Sequence, residues 1–336
     1  MRGEDSLLAW LRERPGTELL GDDTAALAPP AGRALQVTVD SQIAGVHVPP
    51  DLDAAVLARR LLQVNLSDLA AAGAAPGWAV VALATPEGFD HRRFFDALLD
   101  ACAEEGVRLA GGDLARSPTL VTTLTLVGTR PADRPPPGRG GARPGDALWV
   151  GGTLGESGAG QRLVARGARL TRPWTENATA PESPGVALPQ PYRRPESLAE
   201  AARRAVQRHL APRAQLALGD ALAGRATAAM DLSDGLARDL PRLARESRAG
   251  AEVETRALPT PPGFAALCGA LEEDPVELAL AGGEDYVLLF TLPPDEPPPE
   301  DFECHRIGRI TEGPDLVLLR DGRPDPWPDL GWDHLA

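Results

Sequence analysis

VNLSDLAAAGAAPGWAVVALATP (64–86) holds the end of a helix and the start of a strand in one stretch. Leu57, Leu61, Leu62, Leu66 and Leu69 recur at three- and four-residue spacings, which predicts a helix over 52–73. WAVVALA (78–84) is a continuous apolar run and reads as a buried strand. Working outward, RALQVTV (33–39) is a β-like run that stops at Asp40. A helix is expected around 90–105, VRLA (107–110) leads into Gly111-Gly112-Asp113, and LVTTLTLVG (120–128) is rich in β-branched residues. PADRPPPGRGGARPGD (131–146) then reads as a long connection. Beyond it come DALWVGG, a helix at 197–209, the turn in AAMDLSDG, a helix at about 236–248 and the strand VLLFTL (287–292). The Pro-rich 171–195 stretch reads as an exposed loop. Strands and helices mixed in two halves predict an α/β (α+β) protein of two domains, 1–137 and 138–336.

Composition removes several mechanisms. The chain has 34 basic residues against 48 acidic ones, and every basic residue is arginine. A P-loop lysine, a kinase strand lysine and a Schiff-base lysine are therefore excluded. A net charge of −14 with no basic run argues against nucleic acid as a partner. Cys102, Cys268 and Cys304 lie far apart without C-x-x-C spacing, which disfavours a zinc or redox pair and fits a reducing compartment. No apolar run is long enough for a signal peptide or a membrane span, so a soluble cytoplasmic protein is expected.

The acids are informative by position. Asp22 and Asp23 precede TAAL, Asp40 follows a strand, and Asn65 and Asp68 share one helix face. Asp113 follows a strand, Asp231, Ser233 and Asp234 occupy a strand-to-helix turn, and Glu284 and Asp285 precede a strand. Taken singly, an Asp after a strand is more often a turn former or helix cap, and Asp234 could cap the next helix. If they converge, two carboxylates about 5 Å apart cost roughly 3 kcal/mol at an effective dielectric of about 20. Cations are then required, and hard oxygen donors with few histidines select Mg²⁺. Such a cluster beside glycine turns suits phosphates. The residues alone thus point to Mg²⁺-dependent phosphoryl transfer without a P-loop lysine.

GDDTAAL, VTVDSQIAGVHV, VNLSDLAAAGAAP, GGDLARS, RPGDALWVGGTLGESGAG, MDLSDGLARDL, AGGEDYVLLF and GWDH occur in one order. Together they resemble the thiamine-monophosphate kinase family, within the aminoimidazole-ribonucleotide-synthetase-like superfamily. The resemblance implies an N-terminal mixed sheet with helices that pairs in a homodimer, and a C-terminal α/β sandwich. It implies ATP-dependent conversion of thiamine monophosphate to thiamine diphosphate by direct in-line transfer. ATP would lie in a cleft between the domains.

By the same resemblance, Asp23, Asp40, Asp68, Asp113, Asp231 and Asp234 are expected to hold several Mg²⁺ ions. Thr38, Gly112, Asp113, Arg139 and Ser233 are expected on ATP, and His47, Glu284 and Trp332 on thiamine monophosphate. The acceptor phosphate has a second pKa of about 6, so no general base is called for. Glu284 suits the amino donor of the aminopyrimidine, and the face of Trp332 suits a ring by stacking or cation–π attraction. Taken alone, His47 reads as a surface histidine, Trp332 as a hydrophobic plug and Arg139 as a solvated side chain. Val39 stands where the family usually has Thr, and Leu114 and Ala115 where hydroxyl residues are common. Two rivals remain: a synthetase of the same superfamily that activates an amide or carbamoyl oxygen, and a non-catalytic nucleotide-binding scaffold.

Overall fold

The computed structural model describes residues 3–171 and 185–331. The chain divides into two compact units, Met1–Leu69 with Ala74–Arg134, and Ala70–Gly73 with Pro135–Ala336. The first carries α1 (Gly3–Arg12), β1 (Arg33–Ile43), α2 (Ala54–Ala71), β2 (Ala75–Thr85), α3 (His91–Glu104), β3 (Arg108–Arg116) and β4 (Val121–Pro131). Its four-stranded sheet has the order β1-β4-β2-β3, with β2 and β3 parallel and the other pairs antiparallel.

α2 is buried on nearly every face, and polar residues are admitted among its leucines. Leu57, Leu61, Leu62 and Leu66 have no exposed surface, and neither do Arg60, Asn65 and Ser67. The Arg60 guanidinium Nε donates to Gln42 Oε1 of β1 at 2.9 Å, so its charge is held by a strand neighbour. α3 starts cleanly because Asp90 accepts from the Arg93 amide at 3.0 Å and satisfies one orphan donor.

The opposite face of β1 is different. Val37 and Val39 are 65% and 60% exposed, and Leu35 and Val80 are exposed beside them. Registers Val37↔Val127, Val39↔Thr125 and Val80↔Thr125 put these side chains on one face. This is an open apolar patch on a sheet, a feature that marks interaction surfaces.

The second unit carries β5 (Ala147–Gly151), α4 (Glu156–Ala165), β6 (Arg169–Leu170), β7 (Val186–Ala187), α5 (Glu196–Leu210), α6 (Leu216–Leu222), β8 (Ala228–Asp231) and α7 (Leu236–Ser247). It continues with β9 (Gly250–Glu254), α8 (Phe264–Leu271), α9 (Pro275–Ala281), β10 (Leu288–Leu292), β11 (Cys304–Thr311), β12 (Leu316–Arg320) and β13 (Arg323–Pro326). Its main sheet has the order β13-β12-β9-β11-β5-β10-β8. β10, between β5 and β8, is buried at all five positions. No described helix is long and apolar enough to cross a membrane.

Two acids sit differently from the sequence expectation. Asp40 is inside β1, paired with Leu124, and Asp113 is inside β3, paired with Ala82; neither ends its strand. The ladder continues because neither side chain interferes with backbone pairing. Asp40 is half-buried, and Asp113 is exposed on β3, which lies at the sheet edge.

α7 contains Pro241, which has no N–H to give to the Ala237 carbonyl one turn back. The indole Nε1 of Trp327 donates to that oxygen at 2.8 Å instead. The segment after β13 is thereby pinned to α7. Gly331 continues this close approach: a Cβ there would stand 2.9 Å from Arg238 Cβ and 3.0 Å from Asp234 O. Trp327→Phe keeps most of the ring contact and loses the donor. It should cost about 1 kcal/mol and lower the unfolding midpoint by roughly 2–4 °C in calorimetry; an unchanged midpoint would show the bond to be dispensable.

Candidate functional site

In the first unit the sequence-predicted residues gather at two places. One is the pair Thr38 and Asp68: the hydroxyl of Thr38 on β1 donates to Asp68 Oδ2 on α2 at 2.5 Å. Asp40 lies two residues along β1, on the same face. The other is a cleft of about 340 Å³ lined by Asp22, Asp23, Gly111, Gly112 and Asp113, with Arg12 at its edge. That volume lies within the usual range for small-molecule sites, about 300–1,000 Å³. Gly112 must be glycine here, because a Cβ would collide with the carbonyl oxygen of Val81 on β2. His47 sits in the turn after β1. Its Nδ1 accepts the Ile43 amide at 3.1 Å, which leaves a neutral ring its proton on Nε2, the tautomer that can donate.

In the second unit β8 ends on Asp231, and the turn Leu232–Gly235 leads into α7. Asp234 does not cap that helix. Gly235 occupies the cap position without a side-chain bond, and the Asp234 amide donates to Asp239 Oδ2 at 3.0 Å. One nitrogen of Arg242 bridges the two acids, 2.6 Å from Asp234 Oδ2 and 2.8 Å from Asp239 Oδ1. Asp239 is fully buried. Burial and then the neighbouring charge of Asp234 push its pKa up to about 7, against the pull of Arg242 and, more weakly, Arg139. The main chain of Arg139 is fixed where its carbonyl accepts from Ser247 Oγ at 2.7 Å, while its side chain is exposed.

The GGEDY segment (282–286) is stitched to this turn. Glu284 N–H donates to Ser233 O at 2.6 Å, Tyr286 N–H to Leu232 O at 2.9 Å, and Leu232 N–H to Val287 O at 2.9 Å. Glu284 and Tyr286 take left-handed φ values of 56° and 49° to do so. Asp285 between them is buried and turned beneath α4, where it accepts from Gly155 N at 2.7 Å and Ser157 N at 3.0 Å. Trp332 lies outside the described residues.

The fit to Mg²⁺ follows from donor chemistry. Carboxylates and a hydroxyl are hard oxygen ligands, with no thiolate among them. Among the described residues no three acidic, histidine or cysteine side chains form a ready cage. Mg²⁺ is suited to that arrangement, since it typically takes one or two carboxylates and completes its shell with water and substrate phosphate. Asp40, Asp68, Asp231 and Asp234 would offer carboxylate oxygens of that kind.

Sequence reading missed Asp239, Arg242, His209 and Ser157. Asp239 and Arg242 carried a weak signal, an i,i+3 pair following the turn acid by helical spacing. His209 and Ser157 carried none, since what they touch is far away in the chain.

Two α/β units, acids on strand and turn positions, and a glycine-tight cleft define a phosphate-handling protein of the AIR synthase-related class. Models of that family, described as AIR synthase related protein N-terminal and C-terminal domains, match residues 21–129 and 143–321. Within that class the chain belongs to the thiamine-monophosphate kinase family. It is 36% identical to the thiamine-monophosphate kinase of Salmonella typhimurium, over 99% of this chain and 98% of the relative. It is similar to a solved structure described as AaThiL complexed with AMPPCP and TMP, at TM-score 0.76 and 30% identity over 99% of this chain and 97% of that one. A Stenotrophomonas maltophilia thiamine-monophosphate kinase matches at TM-score 0.74 and 32% identity over 96% of each chain.

Asp285 gives a pH test. Burial pushes its pKa up to about 6, against the two amides and Arg208. The folded chain thus holds a proton that the unfolded chain has released, from about pH 4 to about pH 6. Its contribution to stability therefore falls as pH rises through that window and is level above it. The midpoint of Asp285→Asn should lie below wild type, because one amide donor loses its acceptor. The gap should be largest at pH 4 and narrow towards pH 6. A gap independent of pH would contradict the assignment.

Proposed function

We propose that this kinase transfers the terminal phosphoryl group of ATP directly and in line to the phosphate of thiamine monophosphate, giving ADP and thiamine diphosphate. The observation that carries the reading is the bond from Glu284 N–H to Ser233 O. It sets the residue assigned to the thiamine substrate against the residue assigned to ATP, on one rigid backbone.

In this reading Asp23, Asp40, Asp68, Asp113, Asp231 and Asp234 hold several Mg²⁺ ions, which neutralise and align the phosphate oxygens when bound. Thr38 holds the carboxylate of Asp68 in place, which supports that role. Gly112 lets backbone amides approach a phosphate, Ser233 donates its hydroxyl, and Arg139 supplies a guanidinium. His47, as the Nε2–H tautomer, donates to the acceptor phosphate. Glu284 accepts from the aminopyrimidine amino group, and Trp332 stacks on a ring. No residue removes a proton, because the acceptor oxygen is already ionised near neutral pH.

The domains 1–137 and 138–336 divide these roles. The first supplies Asp23, Asp40, Asp68 and Asp113, and the second the remaining acids, Arg139, Ser233 and Glu284. We also assign a homodimer built on the first unit's sheet, supported by the exposed Leu35, Val37, Val39 and Val80. Three free cysteines fit a cytoplasmic setting.

The test mixes purified protein with ATP, Mg²⁺ and thiamine monophosphate and separates products by HPLC. Thiamine diphosphate should form, chelation of Mg²⁺ should stop it, and Asp231→Asn should cut kcat by about a hundredfold or more. Consumption of an amide or carbamoyl substrate in its place would support the synthetase reading and refute this one. A second measurement is sedimentation of Val37→Lys/Val39→Lys, which should run as a monomer while wild type runs as a dimer.

A further inference from the structure

The backbone through Glu284 is locked on both sides, by Ser233 O and Leu232 O above and by Asp285 beneath α4. Arg208 Nη2 adds a bond to Asp285 O at 2.7 Å. What remains to be fixed is the Glu284 side chain. Its Oε2 stands 3.1 Å from Nδ1 of His209, an ion-pair contact outside hydrogen-bond geometry. His209 lies on α5 and is 3% exposed. The same Nδ1 is 3.3 Å from Ser157 Oγ in the first turn of α4. α4 comes this close to α5 because Gly160 has no side chain: a Cβ would stand 2.8 Å from His209 Cβ and would collide with Ala205 O. A buried histidine is thus placed by two helices against the one carboxylate assigned to the thiamine ring. Nearby, Glu156 of α4 has Arg208 and Arg204 of α5 as its charged neighbours.

We propose that His209 is a positioning residue for Glu284: its Nδ1 holds the carboxylate in the rotamer that meets the amino group of the aminopyrimidine, and so sets affinity for thiamine monophosphate independently of ATP. The proposal rests on the function assigned above. His209 touches neither phosphate nor nucleotide in this account. Ser157, with its amide held by Asp285, is hydrogen-bonded through its hydroxyl to the same Nδ1 and anchors the ring.

The experiment compares wild type, His209→Phe, which keeps ring bulk without a nitrogen, and His209→Asn, whose amide nitrogen sits near the Nδ1 position. In His209→Phe the KM for thiamine monophosphate should rise about tenfold, the effect of losing one partly buried ion-pair contact. The KM for ATP and kcat should stay within about twofold of wild type, and His209→Asn should recover most of the loss. Calorimetric titration with thiamine monophosphate should repeat the same order of affinities. An unchanged KM for thiamine monophosphate, an equal rise in both KM values, or no recovery in His209→Asn would overturn the proposal. Should His209→Phe fail to fold, His209→Gln takes its place, since its longer arm carries the amide past the Nδ1 position. A wild type that turns over separates these failures from failure of the function itself, in which no thiamine diphosphate forms at all.

Discussion

Carboxylates resist being brought together, and they resist burial still more, unless a proton, a cation or a set of hydrogen-bond donors compensates them. With 48 acids and no lysine, this protein meets that constraint at each functional turn. Arg242 stands between Asp234 and Asp239. Thr38 donates to Asp68. Asp285 is received by two amides at the start of α4. In each case the compensation also fixes the direction of the carboxylate.

The turn after β8 illustrates how packing becomes chemistry. Asp239 is fully buried, and its carboxylate receives the Asp234 amide and the Arg242 guanidinium. The turn is then joined to the GGEDY segment by three backbone bonds. Holding Glu284 and Tyr286 at positive φ costs on the order of 1–3 kcal/mol each, a strain that persists only where surroundings over-determine it. Those bonds, with Asp285 under α4, supply the over-determination. In the thiamine-monophosphate kinase reading, the strain places an acid against the ring while its own amide is tied to the nucleotide turn.

Much of this was legible in the residues. The leucine spacing of α2 and the apolar run of β2 gave both elements, and MDLSDG gave its strand-to-helix turn. The misreadings are also physical. Asp40 and Asp113 were expected to end strands, because aspartate usually does. Each lies within its strand because its side chain leaves the ladder unhindered: Asp40 is half-buried and Asp113 is exposed. Asp285 was visible beside Glu284, but its role needed Gly155 and Ser157, about 130 residues earlier. His209 and Ser157 belong to the same group: a helix residue reveals a long-range partner only when the chain is folded.

The central claim is that these acids hold divalent cations for phosphate transfer. It is tested most directly by anomalous diffraction from crystals grown with Mn²⁺, a non-hydrolysable ATP analogue and thiamine monophosphate. The account predicts manganese peaks within about 2.0–2.3 Å of oxygens from Asp40 or Asp68 and from Asp231 or Asp234. Peaks at other sites, or substrates bound with those carboxylates free of metal, would contradict it.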